Sequence, residues 1–257
     1  MKFLKPDFIE LSLVKKICLS GILMALIMIF NKVLAINYII PFARVSFGSI
    51  ALITITSIIL GPFYGMIIAG MADVLGYFLF DMSSYAWFPQ ITLTYVLMGA
   101  VPFFIYKFVR LFKKEKLFMI VEYSVFAIIL ALVIVFFITN NQIDLGYKIV
   151  QLNTFERIFY PSLSALLFVV IIITNLIFNK KIKTDDLPTN IYQISFIVFV
   201  VEIFVDLLFG GLMKSWAFGW NLLIYIYLVQ GGIMFFNIPY NSYLILVMMK
   251  AIKRFGR

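Results

Sequence analysis

Long apolar runs separated by short polar breaks dominate the chain, and run length decides what they are. A helix needs about 20 apolar residues to cross the hydrocarbon core of a bilayer, somewhat fewer at the minimum. Runs of that order lie at 17–38, 46–61, 63–80, 89–107, 118–138, 157–178 and 190–213, with a last stretch from 220 to 249. Turn-forming residues punctuate them: GPFYG at 61–65, SSYAWFP at 83–89, TNNQ at 139–142 and TDDLPTN at 184–190. The last stretch is too long for one span, and Gly231, Gly232 and Pro239 interrupt it. A hydrophobic loop or re-entrant piece is therefore expected at 217–236, ahead of a helix at 237–252. The pattern predicts an all-α, polytopic transmembrane helix bundle of about eight spans.

Composition agrees. The chain of 257 residues is 64% hydrophobic and only 13% charged, with mean hydropathy +1.08. A soluble domain carries about 25% charge, so this is an integral membrane protein. The net charge of +9 does not point to nucleic acid, because the basic residues mark the ends of apolar runs instead of clustering on one face. With eight spans, one side of the membrane collects Lys2, Lys5, Lys15, Lys16, Lys107, Arg110, Lys113, Lys114, Lys116, Lys180, Lys181, Lys183, Lys250, Lys253, Arg254 and Arg257. The other side holds only Arg44, Lys148, Arg157 and Lys214, with Lys32 inside the first span. Basic loops stay in the cytoplasm, so a multi-pass cell-membrane protein with both termini cytoplasmic is expected, and Arg44 faces outside. Lys15 and Lys16 resemble the start of a signal peptide, but Asn31 and Lys32 follow without a small-x-small cleavage site, so a retained first helix is expected.

Several chemistries drop out. Cys18 is the lone cysteine and histidine is absent, which removes an intrachain disulfide, thiolate or histidine metal sites and histidine-based triads. No glycine loop followed by Lys and Ser/Thr is present for ATP, and no nucleophile stands beside a base. Neither an enzyme nor a resident cofactor or metal is expected.

Four groups of residues remain as candidates. Arg44, in PFARVSFGS with Phe42 and Phe47, is either an interfacial anchor or a planar cation for a carboxylate ligand. Asp73, Glu202 and Asp206 lie within apolar runs, the last two on one helical face at i and i+4. Acids inside a membrane pair, line a cavity or mark a pathway. These three are structural partners, for instance of Lys32, or acceptors for ligand N–H groups, or a proton or sodium site. Gly21/Ala25 and Gly61/Gly65 are small residues four apart, suited to close helix approach within the chain or against a partner. Tyr85, Trp87 and Phe88, with Trp216 and Trp220, form an aromatic belt or a stacking slot for a flat heterocycle.

Three ordered segments carry a family resemblance: KKICLSGILMALIMIFNKVLAI, RVSFGSIALITITSIILGPFYGMIIAGMADVLGYFLF and WFPQITLTYVLMGAVPFFIYK. They resemble the substrate-binding S components of energy-coupling-factor (ECF) vitamin transporters, nearest to the folate family. The matching positions are Lys32, Arg44-Val45-Ser46-Phe47-Gly48, Leu60-Gly61-Pro62, Ala72-Asp73 and Phe88-Pro89-Gln90-Ile91-Thr92-Leu93-Thr94. NIPYNSYLILVMMKAIKR resembles the final helix of the family, and nothing matches over roughly 117–184. Gln90 stands where glycine is expected and Lys32 where arginine is common; both border the implied pocket.

The resemblance implies a six-helix core, so residues 1–116 would hold its first four helices, 117–184 an inserted helical pair and 185–257 the last core helices. It implies capture of a vitamin, folate first, and delivery inward with a transmembrane coupling protein and two ATPase subunits. Arg44 and Lys32 would meet folate's carboxylates, and Asp73 or Asp206 its pteridine N–H groups. Phe47, Trp87, Phe88 and Trp220 would wall or stack the rings, while Gly21 and Ala25 would serve docking. Another vitamin such as riboflavin remains an alternative. So does an ion-driven transporter using Asp73, Glu202 and Asp206, although the repeated halves usual in such proteins are not visible.

Overall fold

The computed structural model describes residues 12–40, 43–46, 48–81, 86–112, 115–144, 149–181, 189–219 and 223–255. Nine α-helices run through them: α1 (Leu13–Met28), α2 (Ser49–Leu60), α3 (Pro62–Gly76), α4 (Pro89–Leu111), α5 (Glu115–Thr139), α6 (Thr154–Lys181), α7 (Ile191–Val200), α8 (Gly211–Phe218) and α9 (Leu223–Phe255). Three π-helical segments extend or join them. We label these π1 (Ile29–Val33) after α1, π2 (Tyr77–Asp81) after α3, and π3 (Val201–Gly210), which fuses α7 to α8. Seven of the resulting helices are long and apolar enough to cross a membrane.

Local chemistry accounts for several boundaries. Ser12 caps α1 by accepting from the Lys15 N–H, and Asn190 and Gln193 form a reciprocal capping box at the start of α7. Pro62 and Pro89 occupy first turns, where a missing N–H costs nothing. Gly61 is the whole joint between α2 and α3, and its φ of 96° is open to glycine at no steric cost.

The structure departs from the sequence-based expectation in three places. Segment 46–61 yields a helix of only 12 residues, about 18 Å long at about 1.5 Å per residue, against a hydrocarbon core of about 30 Å. Every residue of α2 is buried, enclosed by α1, α3, α4, α7 and α9. The expected loop at 217–236 is absent among the described residues, where α9 is continuous through Gly231, Gly232 and Pro239. A backbone in hydrocarbon has no water to bond, so a long apolar run stays helical across residues that would break it in solution. Two short antiparallel hairpins also appear. One pairs β1 (Ile36–Ile40) with β2 (Ala43–Val45), the other β3 (Gln142–Asp144) with β4 (Ile149–Gln151).

The helices sort into two groups by their main contacts. Helices α1, α3, α4, α7 and α9 pack around α2, and π3 and α8 continue the α7 rod against α4 and α9. Helices α5 and α6 pack on each other and on α7 and α9. A buried polar contact fastens this pair: Ser195 of α7 donates to Glu122 of α5 at 2.6 Å, and Asn175 of α6 donates to Tyr123 at 3.3 Å. Gly231 of α9 leaves room for Ile129 of α5.

Small residues divide by role. A Cβ on Gly65 would lie 2.1 Å from the Gly99 carbonyl oxygen, so α3 and α4 touch backbone to backbone there. Gly21 has nothing within 4 Å of the same position. With Val14, Ile17, Cys18, Ile22 and Ala25 it forms an exposed stripe along α1.

These surroundings predict opposite responses to one substitution. Gly65→Ala forces two backbones apart and is expected to cost about 1–3 kcal/mol. Gly21→Ala adds a methyl into open space and removes the helix cost of glycine, so it is expected to be neutral or stabilising by roughly 0.5–1 kcal/mol. Thermal unfolding in detergent, read by loss of helical circular dichroism, compares the two directly.

Candidate functional site

One end of the bundle gathers the end of α1, the β1–β2 hairpin, the end of α3 and the start of α4. Lys32, on π1, is the centre. Its Nζ lies 2.7 Å from Asp81 Oδ2 and 3.6 Å from Asp73 Oδ1, with all three side chains at most 7% exposed. The stem of Lys32 runs over Gly76, where any Cβ would come within 2.9 Å of Lys32 Cε. Asp73 and Asp81 are eight residues apart, and the π register of π2 carries the second acid round to the same cation. Thr92 of α4 donates to Asp73 Oδ2 at 2.7 Å, and Trp87 Nε1 donates to Thr92 Oγ1 at 3.1 Å. Beside them, Asn31 donates from its amide to the Tyr95 hydroxyl at 2.9 Å. Three helices are tied by one buried polar chain.

A second cluster lies where π3 meets α4, α8 and α9. Lys214 pairs with Asp206 at 3.2 Å, both side chains under a quarter exposed. Glu202, one turn deeper and 1% exposed, has no hydrogen-bond partner on either carboxylate oxygen. Asn237 of α9 lies beside it, and its Oδ1 is also without a partner. Thr94 of α4 packs against Gly210, where a Cβ would meet the Thr94 methyl at 3.0 Å and Asp206 Oδ1 at 3.3 Å. Gln90, one turn before Thr94, has a buried, unpartnered Oε1. Strand β2 packs on α9, and Gly48, opening α2, touches Phe30 and Leu244. The hairpin therefore packs against α9, and the start of α2 beside it meets that helix at Leu244.

The expected site residues separate accordingly. Asp73, Trp87, Phe88 and Gln90 do come together with Lys32 around the start of α4, and Asp206 lies across α4 on π3. Trp87 is 40% exposed and its ring lies 6.5 Å from that of Phe78; Phe88 is half-buried at the N-cap. The expectation of Lys32 as a cation open to a ligand carboxylate does not fit this geometry, because Asp81 and Asp73 already supply the carboxylates. Asp73 is likewise engaged on both oxygens. Arg44 belongs to β2, but its side chain lies outside the described residues, as do Phe42, Phe47, Tyr85 and Trp220. Gly21 and Ala25 sit apart from both clusters, Gly21 eleven residues before Lys32, roughly 16 Å along the helix. No group of three or more acidic or cysteine side chains among the described residues could hold a metal ion.

Reading the sequence missed Asp81, Thr92 and Lys214. Asp81 and Lys214 each lie eight residues beyond a flagged acid, Asp73 and Asp206, a spacing that leaves two side chains about 80° apart in an α-helix and that the π turns of π2 and π3 change.

Removing one member of a buried pair strands the other charge, at about 3–5 kcal/mol. Lys32→Met is expected to lower unfolding stability by that order. Lys32→Met combined with Asp81→Leu should recover part of it, giving a coupling well above the ~0.5 kcal/mol expected of independent sites. A double-mutant cycle by chemical unfolding in detergent measures the coupling.

Comparison with known proteins agrees with this architecture. A family model described as the ECF transporter, substrate-specific component, matches residues 15–179, from α1 through α6 and well over half of the chain. No curated protein and no solved structure matches. ECF substrate-specific components bind a small molecule and work with a membrane coupling protein and ATPases. A multi-pass bundle with seven spanning helices, and a match over this length, put the chain in the ECF transporter substrate-specific component family.

Proposed function

We propose that the protein captures a vitamin, folate first among candidates, at the end of the bundle formed by the β1–β2 hairpin and the start of α4. It then delivers the vitamin inward with a coupling protein and two ATPase subunits. Family membership supports the S-component role. The observation that carries the location is the convergence of β2, the first turn of α4, π3 and α9 on one end of the helices. The lysine and arginine asymmetry, with α2 counted as a return leg enclosed in the bundle, supports that end as the outer one and both termini as cytoplasmic.

Within this reading the roles divide by charge. Arg44, on β2, takes the anionic tail of the ligand through a planar, bidentate fork. Lys32 orients instead of binding: through Asp73 and Thr92 it holds Trp87 at the mouth, where Trp87 and Phe88 face the rings together with Phe47 and Trp220. Asp206 and Gln90 border the ring edge. Residues 117–184 are read as a helical pair added to a six-helix core; their packing, mainly on each other, α7 and α9, supports this, whereas the family match runs on through them to residue 179.

Docking falls to α1. Its stripe of Cys18, Gly21 and Ala25 is exposed and unobstructed, as a close helix–helix contact in lipid requires. Toppling of the S component on the coupling protein would then carry the ligand across.

Two outcomes test the reading. Arg44→Ala is expected to lose about 1.5–3 kcal/mol of folate binding, roughly tenfold to a hundredfold, with Arg44→Lys recovering only part. Calorimetric titration of the detergent-purified chain measures both, and a loss under about twofold would make Arg44 an interfacial anchor. Gly21→Trp and Ala25→Trp should leave folate affinity intact while abolishing co-purification with the coupling and ATPase subunits and uptake into proteoliposomes. Survival of assembly in both variants places the docking face elsewhere.

A further inference from the structure

A carboxylate buried in a bilayer protein normally has a partner, because an unpaired polar group in a low-dielectric interior is costly. Three of the buried acids obey this. Asp73 and Asp81 hold Lys32, and Glu122 accepts from Ser195. Glu202 does not. It is 1% exposed and both of its oxygens lack a hydrogen-bond partner. Lys214, the cation nearest along the rod, is taken by Asp206 one turn further out.

Asn237 beside Glu202 repeats the deficit with the same sign, and so do two glutamines on the helices that pack against π3. Asn237, 6% exposed on the facing helix, leaves its Oδ1 unpartnered. Gln230, seven residues earlier on the same face of α9, leaves its Oε1 unpartnered, and so does Gln90 on the first turn of α4. The unpartnered amide nitrogen on α9, Asn241 Nδ2, belongs to a side chain turned to α2, where its oxygen accepts the Ala51 N–H. On facing helices the Glu202 carboxylate and Asn237 Oδ1 thus stand side by side as unsatisfied acceptors. Two acceptors cannot satisfy one another; a donor has to come between them. The ten-residue π register of π3 is the local device: π segments gather at functional sites, and here the register places Glu202 inward while Phe204 and Leu208 remain exposed to lipid.

We propose that Glu202 and Asn237 read a donor edge of the ligand, an exocyclic amino group beside a ring N–H, as in a 2-amino-4-oxo nitrogen heterocycle. Both carboxylate oxygens of Glu202 take the two N–H groups side by side, with Asn237 orienting the edge. This rests on the vitamin-capture reading above and adds to it the chemistry that selects one ring system over another. A dioxo ring, with oxygen in place of the amino group, turns an acceptor toward Glu202 and is rejected.

Titration calorimetry on the full chain in detergent tests this with four probes: folate, the aminopteridine pterin, its 2,4-dioxo counterpart lumazine, and riboflavin. Wild type is expected to bind folate and pterin, with lumazine at least tenfold weaker. Glu202→Gln turns an acceptor into a donor facing the ligand's N–H, so folate and pterin should each weaken tenfold or more and the gap to lumazine should close. Asn237→Leu should move in the same direction by less. Ligand-free melting temperature is recorded alongside, since a purely structural Glu202 predicts a changed melting temperature with folate affinity kept within twofold; that result overturns the proposal. Equal losses for pterin and lumazine also overturn it. Riboflavin binding that is undisturbed by Glu202→Gln overturns the donor-edge assignment while leaving vitamin capture standing. Binding of none of the four overturns the folate reading together with this one.

Discussion

Hydrocarbon offers no hydrogen bonds, and that constraint shapes every unusual feature of this chain. A backbone that leaves the helical path inside a bilayer must find protein partners or stay covered. Helix α2 is too short to cross the bilayer and is acceptable because all twelve of its residues are enclosed. Helix α9 runs through two glycines and a proline because, in a span, helix is the one conformation that satisfies its own N–H and C=O groups. The β1–β2 hairpin pairs its own strands before packing on α9.

The same constraint explains where the charges sit. Lys32 would be prohibitive alone at the end of α1, and so would Asp73 and Asp81 on α3; together they become a joint between helices. A buried ion pair is weak evidence for stability but good evidence for specificity of arrangement. Here it sets the rotation of α1 against α3 and, through Thr92, of α3 against α4. Glu122 and Ser195 do the equivalent for α5 against α7. The end of the bundle that holds Lys32 is thus framed by fixed elements, an arrangement that lowers the ordering cost of binding there.

Much of this was legible from residue order. Apolar runs and their Gly/Pro breaks located the helices to within a few residues, because run length and punctuation are local properties. The ends at Pro62 and Pro89 fall where the breaks place them. What escaped was long-range or rotational. Pairing of Asp73 with Lys32 was one of the readings open from the sequence, but Asp81, 49 residues from Lys32, was not in view, because π2 resets the face on which it emerges. The hairpin at 36–45 was invisible because INYII reads as the tail of an apolar span. The continuous α9 was missed because rules for glycine and proline come from water, where a broken helix finds other partners. Arg44, read from the sequence as a basic residue isolated at a turn, lies on β2, and that strand packs on α9.

Cys18 gives the exposed stripe of α1 a practical value. The thiol is the chain's only one, it projects from the face shared with Gly21 and Ala25, and no histidine competes for metal-based probes. A spin label or fluorophore attached there enters at a single place without engineering. It would report, through its mobility and its depth in lipid, whether this helix stands upright in the membrane or lies against another protein.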